Sequence, residues 1–292
     1  MIKVSFNFTS EIAPQIEHYL FEYAPHNWVL LSDPKEKEKE LVGYFSSKKE
    51  ANTSFNNIFG DINEINSDIL IFDKVDEEDW QNSYKKHFHP WNINGFHWVP
   101  IWEKNTYKIP RFQKKIFLDP GMAFGTGNHE TTKLCLKSMI EGNEKTLGNY
   151  DSFADFGCGS GILALTASMI GFSDVYGMDI DEDAIKVSYQ NAKLNNIENV
   201  KFEQGDLNKI KKNKGYDFIV ANIQSDILIE NSFNILEHLK NNGILVLSGI
   251  LEIELKDVLK HFKKEFKVKS MSTDVESHTL NEWASLKFLV NR

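Results

Sequence analysis

The chain has 292 residues, 41% of them hydrophobic and 12% aromatic, too many for one small module and suited to two domains with substantial cores. A formal net charge of −9 argues against broad, sequence-independent nucleic-acid binding and suits a basic protein partner better. Two cysteines, Cys135 and Cys158, cannot build a disulfide scaffold or a Cys-rich zinc site, and no apolar run reaches the roughly 18 residues of a membrane span, so a cytoplasmic location is expected.

Residues 1–73 read as a small α+β domain. Ile2, Val4, Phe6 and Phe8 alternate as a strand, and Ser10 before Ile12, Ile16, Tyr19 and Leu20 predicts a capped amphipathic helix. Strands follow at 28–31, 41–45 and 68–73, with a second helix over 47–58. The order βαββαβ is ferredoxin-like, an arrangement that hosts many unrelated functions.

Residues 74–111 read as a connector. The acidic run Asp76-Glu77-Glu78-Asp79 leads into Trp80, Tyr84, Phe88, Trp91, Phe96, Trp98 and Trp102, too aromatic for a flexible linker. A packed arm against the second domain is the plainer reading, and a wall of a substrate channel the alternative. His87, His89 and His97 match no standard zinc spacing, so no metal is expected.

Residues 112–292 alternate strand, Gly-rich turn and helix. Strands are expected at 152–156, 174–179, 200–202, 216–221 and 243–247, and helices over 162–170 and 181–195. That pattern predicts a mostly parallel sheet covered on both faces. Residues 266–269 and 283–290 read as two further strands forming a hairpin on one edge.

The strongest chemical signal is Asp155-Phe156-Gly157-Cys158-Gly159-Ser160-Gly161, placed where a buried strand meets a helix. There the backbone can approach a ligand closely, and its N–H groups meet the positive end of a helix dipole. Asp179 ends the next strand, where a carboxylate can accept hydrogen bonds from both hydroxyls of a ribose. The loop is short and no phosphate-binding lysine follows, which favours S-adenosylmethionine over NAD or ATP. Asn222 falls at the carboxyl end of the fourth strand. It can orient an incoming amine, cap a helix over 226–236, or do both.

The segment from Leu118 to Thr132 holds three glycines and reads as a lid over the cofactor. Within it His129 is a general base or a hydrogen-bonded loop histidine. Asp206 can meet an adenine amino group or serve as a plain loop acid.

LDPGMAFGTGNHETT, DFGCGSGILAL, GMDIDEDAI, VANI and LSGIL, in this order, resemble the PrmA family, whose members methylate large-subunit ribosomal protein eleven. The resemblance extends to the N-terminal unit, to Phe88-His89-Pro90 and to Glu282-Trp283. It implies a Rossmann-like class I methyltransferase domain with an antiparallel edge, preceded by a ferredoxin-like domain that grips the substrate. It also implies S-adenosyl-L-methionine as cofactor, held by Thr132, Gly157, Asp179 and Asn222, and methylation of lysine side chains and the α-amino group. Departures fall at Asn128 and Glu130, where Thr and Pro are usual, and at Gln224-Ser225-Asp226.

Competing readings are a nucleobase or glutamine-amide methyltransferase and a non-catalytic scaffold in ribosome assembly. The first usually carries Asn-Pro-Pro-Tyr where this chain has Asn222-Ile223-Gln224-Ser225. A monomer without membrane or sequence-specific nucleic-acid contacts is expected, with its small domain moving relative to the large one.

Overall fold

The computed structural model describes residues 2–9, 11–23, 27–31, 38–62, 65, 67–74, 89–119, 129–141, 150–210 and 215–291. Contacts divide the chain into two units, Met1–His89 and Pro90–Arg292. No helix among the described residues is long and apolar enough to cross a membrane.

In the first unit, β1 (Ile2–Thr9), β2 (Trp28–Leu31), β3 (Glu38–Phe45) and β4 (Ile71–Lys74) form an antiparallel sheet in the order β2-β3-β1-β4. With α1 (Ala13–Tyr23) and α2 (Lys48–Phe59) this is the ferredoxin-like arrangement. Ser47 caps α2 by accepting from Glu50 N (3.2 Å), while the Glu50 carboxylate accepts from Ser46 N (3.1 Å). The helix then turns Ala51, Phe55 and Phe59 inward, against Val4, Phe6, Trp28 and Leu41. Ser10, the cap expected for α1, lies outside the described residues.

The second unit is built on a seven-stranded sheet. Its strands are β8 (Ser152–Phe156), β9 (Asp174–Asp179), β10 (Val200–Gln204), β11 (Tyr216–Asn222), β12 (Leu239–Leu251), β13 (Ser272–Leu280) and β14 (Trp283–Asn291). Their order is β10-β9-β8-β11-β12-β14-β13, parallel except that β14 runs antiparallel to both its neighbours. Buried strands place alternate residues on opposite faces. Phe153 and Val220 join the core beneath α3 (Glu130–Glu141), α4 (Ile162–Ile170) and α5 (Glu182–Leu194). Ala154 and Ala221 join the core beneath α6 (Ser225–Glu230), α7 (Ser232–Glu237) and α8 (Leu255–Val268). The expected Rossmann-like sheet with an antiparallel edge is therefore present.

Ahead of this sheet stand β5 (Trp91–Ile93), β6 (Phe96–Pro100) and β7 (Lys114–Leu118). β5 and β6 form a hairpin through Asn94 and Gly95, both at positive φ, and β6 pairs in parallel with β7. Trp98 stacks on Trp91 at 4.2 Å and donates its indole N–H to Thr166 Oγ1 on α4 (3.2 Å). Burying a ring of this size contributes on the order of 3 kcal/mol. The part of the aromatic segment from Pro90 onward thus groups with the second unit, whereas the sequence pattern alone starts that domain at 112. Residues 75–88 lie outside the described residues.

The end of α5 covers the β7 edge of this small sheet with a side chain. Asn195, just past the helix, accepts from Phe117 N (2.7 Å) and donates to Phe117 O (2.7 Å).

Two sequence expectations are corrected. Residues 266–269 are not a strand: Phe266 continues the buried face of α8 with Val258 and Phe262, a four-residue period that overrides the short apparent alternation. The partner of β14 is instead β13, STDVESHTL, an edge strand too polar and exposed to carry an apolar period. The single helix expected over 226–236 is two short ones, because the chain breaks at Asn231, which closes α6 by donating to Ile227 O (3.0 Å).

Candidate active site

The crossovers from β8 through β9 to β10 run one way and those from β11 to β12 the other, so the strand order reverses between β8 and β11. Crevices at the carboxyl ends of such a reversal are where doubly wound folds take ligands. The GxGxG loop leaves β8 there.

All three glycines of that loop have left-handed backbone: Gly157 at φ 79°, Gly159 at 50° and Gly161 at 80°. A Cβ on Gly157 would lie 2.3 Å from Ile223 Cγ2, so only glycine fits. The loop is bound to β9 from two sides. Gly157 N and Cys158 N donate to Met178 O (2.8 and 2.9 Å), and Gly159 N donates to Asp179 Oδ2 (2.8 Å). The other Asp179 oxygen accepts from Asp181 N (3.0 Å). Burial raises the Asp179 pKa, opposed by these backbone donors. The carboxylate is thereby oriented by main-chain groups.

Asn222 and Thr132 converge across 90 residues of sequence. Asn222 Nδ2 lies 3.5 Å from Thr132 Oγ1, which is buried in the first turn of α3. Asn222 Oδ1 is buried and has no hydrogen-bond partner among the described residues. An orphaned buried acceptor costs about 1–3 kcal/mol, and a ligand donor at the rim is the natural remedy. Asn222 makes no capping bond to α6, whose N-cap is Gln224. Asp179, the glycine loop and Asn222 stand at the carboxyl ends of β9, β8 and β11, and Thr132 stands beside Asn222.

The alternatives for two other residues narrow. His129 Nδ1 pairs with Thr131 Oγ1 (2.8 Å) and its ring packs against Trp283 at 5.0 Å, the geometry of a hydrogen-bonded loop histidine. Asp206 accepts from Asn208 N (2.9 Å) and pairs with Lys209 (3.0 Å), which together lower its pKa. The glycine-rich stretch 120–128 lies outside the described residues.

Below the loop sits Asp155, at 0% exposure the one fully buried carboxyl group among the described residues. Its Oδ2 accepts from Ala164 N (3.2 Å) near the start of α4, while Oδ1 has no partner among the described residues. Burial pushes its pKa up to about 8. Burial also raises the Cys135 and Cys158 thiols, so both stay protonated and unreactive.

Residues 13–289 match the family described as Ribosomal protein L11 methyltransferase (PrmA). The chain belongs to the PrmA family. A ribosomal protein L11 methyltransferase of Caldanaerobacter subterraneus subsp. tengcongensis is 41% identical over 73% of this chain and 65% of its own length, slightly under two thirds. One of Thermoanaerobacter pseudethanolicus is 37% identical over 83% and 80%. The crystal structure of a ribosomal protein L11 methylase from Lactobacillus delbrueckii subsp. bulgaricus is 31% identical and superposes with a TM-score of 0.59, over 70% of this chain and 100% of that one.

Two residues that hold this PrmA-family site together escape the motifs. Ser188 Oγ donates to Gly159 O (2.7 Å). Asn191 donates through Nδ2 to Ser160 O (3.0 Å) and accepts through Oδ1 from Asp119 N (2.8 Å). Asn191, fully buried on α5, thus ties the glycine loop to the residue that precedes the 120–128 stretch. Their one sequence trace is polarity on the inward face of an amphipathic helix.

Proposed function

We propose that this chain is an S-adenosylmethionine-dependent N-methyltransferase whose substrate is the ribosomal protein named in its relatives, with lysine side chains and the α-amino group as acceptors. The observation that carries this reading is the buried Asn222 Oδ1 at the carboxyl edge, without a partner among the described residues, beside Thr132 and next to a glycine loop tied to Asp179.

When bound, the cofactor supplies an electrophilic methyl carbon attached to a positively charged sulfur. The chain's residues bind and orient. Asp179, already aligned by Gly159 N and Asp181 N, keeps lone pairs free for two ribose hydroxyls. The exposed Ile180 beside it offers an apolar surface for the base. The glycines permit the left-handed backbone that carries the loop past the end of β8. Asn222 Oδ1 accepts an N–H of the incoming amine and so directs its lone pair, the positioning that an in-line displacement requires.

None of the described residues at the rim is placed as a dedicated base, so water accepts the proton. Neutralising a lysine at pH 7 costs roughly 4–5 kcal/mol, an α-amine only about 1–1.4. Alkaline activation is therefore steeper for lysine acceptors at subsaturating substrate. The segment Asn222-Ile223-Gln224-Ser225, without proline or aromatic residues, favours a flexible amine over a planar nucleobase or amide.

The test is intact-mass spectrometry of the purified ribosomal protein after incubation with the chain and S-adenosylmethionine, followed by peptide mapping. Additions of whole methyl groups at lysine and N-terminal nitrogens are expected, and Asn222→Leu should lower kcat more than it weakens cofactor binding. An unmodified protein, or modification confined to amide side chains, would refute the proposal.

A further inference from the structure

Between Glu103 and Asp119 the sequence holds five cations, Lys104, Lys108, Arg111, Lys114 and Lys115, and no acid, within a chain of net charge −9. The link from β6 to β7 and the first two residues of β7 display them. Among the described residues no ion pair reaches any of the five. Lys114 is engaged at the end of α4 through Met169 O (2.7 Å). Lys104 and Lys115 lie over the Phe117 ring at 5.3 and 4.9 Å, which leaves their N–H groups available. Lys108 and Arg111 project into solvent.

Phe112 stands among them, 101% exposed and at φ 68°. That backbone region is ordinarily left to Gly, Asn or Asp, and a bulky residue there is strained. A turn alone explains neither the choice of phenylalanine nor its full exposure, since the ring supports no core. The ring itself is the feature presented.

The tip is also held in place. His97, buried in β6, engages Tyr107 OH through Nδ1 (2.7 Å) and the Gln113 side-chain oxygen through Nε2, so one rigid imidazole brackets residues 108–112. Pro110 fixes its own φ, its carbonyl accepts from Gln113 N (3.3 Å), and Lys114 N closes onto Gly95 O (3.1 Å). A surface ordered in advance loses little entropy on binding.

We propose that this tip docks single-stranded RNA, with Lys108, Arg111, Lys104 and Lys115 taking phosphates and Phe112 stacking on a base. Charge selects an anionic partner. The convex, fully exposed ring favours a nucleic acid over an acidic peptide, because a base offers a flat face and a peptide needs a groove that a protruding tip does not provide. The whole-chain charge argues against wrapping nucleic acid broadly, and a local basic tip is compatible with that. This inference stands independently of the methyl-transfer reading.

Fluorescence anisotropy of the full chain with a labelled, mixed-sequence single-stranded RNA of about a dozen nucleotides tests it. Binding should weaken steeply between about 50 and 200 mM salt. Lys108→Glu with Arg111→Glu should reduce the slope of log K against log salt by about 1.4, the share of two phosphate contacts on a single strand. Phe112→Ala should weaken binding roughly 5- to 150-fold, the equivalent of about 1–3 kcal/mol for a stacked base. Phe112→Gly should do the same while keeping or raising the melting temperature, because it relieves the backbone; a merely structural Phe112 would lower it. Methylation of the free ribosomal protein should be unchanged in both Phe112 variants. No binding at low salt, equal binding of a poly-glutamate peptide, or RNA binding indifferent to Phe112 would each overturn the proposal.

Discussion

The substitution Asp155→Asn separates the cost of a buried charge from the geometry it supports. The folded-state pKa of about 8 lies well above the ordinary carboxyl value near 3.9. Between those values the native chain holds a proton that the unfolded chain has released. Stability contributed by this group is therefore full at low pH and falls as pH rises, levelling off above about 8. Asparagine keeps an acceptor for Ala164 N and does not titrate. Below about pH 4, where the carboxyl is protonated in both the folded and the unfolded chain, the two proteins should be of similar stability. By pH 6 the Asp155→Asn variant should already be ahead, and between pH 6 and 8 it should gain about 2 kcal/mol more, since each pH unit below the folded pKa is worth roughly 1.4. Urea unfolding at pH 6, 7 and 8 measures this. With Trp28 and Trp80 changed to Phe, the remaining tryptophans, Trp91, Trp98, Trp102 and Trp283, report on the second unit. Parallel pH profiles for the two proteins would refute the reasoning, because they would mean that Asp155 is ionised in the native state throughout.

Asp179→Ala removes two charge-assisted hydrogen bonds to a ribose and should weaken S-adenosylmethionine binding by at least about a hundredfold in calorimetry; unchanged affinity would remove Asp179 from the site. Gly157→Ala combines left-handed strain with the clash on Ile223 and should cost at least about 2 kcal/mol in urea unfolding. Adding Ile223→Ala should recover the packing part and leave the backbone part. Asn191→Leu strands Asp119 N–H and Ser160 C=O, a loss of about 2–4 kcal/mol, and should speed hydrogen exchange at the Asp119 amide. Asn191→Asp retains the acceptor for Asp119 and should fall between.

What the sequence discloses follows from range. The glycine loop, Asp179 and the buried strands β8, β9 and β11 are legible because each is a local pattern: an apolar run, a turn residue, an acid at a strand end. Thr132 is named only through motif resemblance, and the meeting of Asn222 with it is not legible at all, since nothing near position 222 says that position 132 lies 3.5 Å away. Asn191 and Ser188 are invisible for a similar reason, bonding to backbone groups about 30 residues or more distant. β6 reads as connector because all five of its residues are buried, which erases the alternation that marks a strand. β13 escapes for the opposite reason, an edge strand with almost nothing buried. Asp155 is visible as a letter in the motif, but its unusual acidity depends on the core that folds around it.

The amide of Asn195 has a consequence beyond local order. By meeting both Phe117 N and Phe117 O it imitates the next strand of the β5–β7 sheet and occupies the bonding groups that a foreign strand would seek. One side chain of the protein's own helix therefore acts as a stopper at that margin. It blocks that margin against pairing with a foreign strand, adding to the two lysines, Lys114 and Lys115, that open β7.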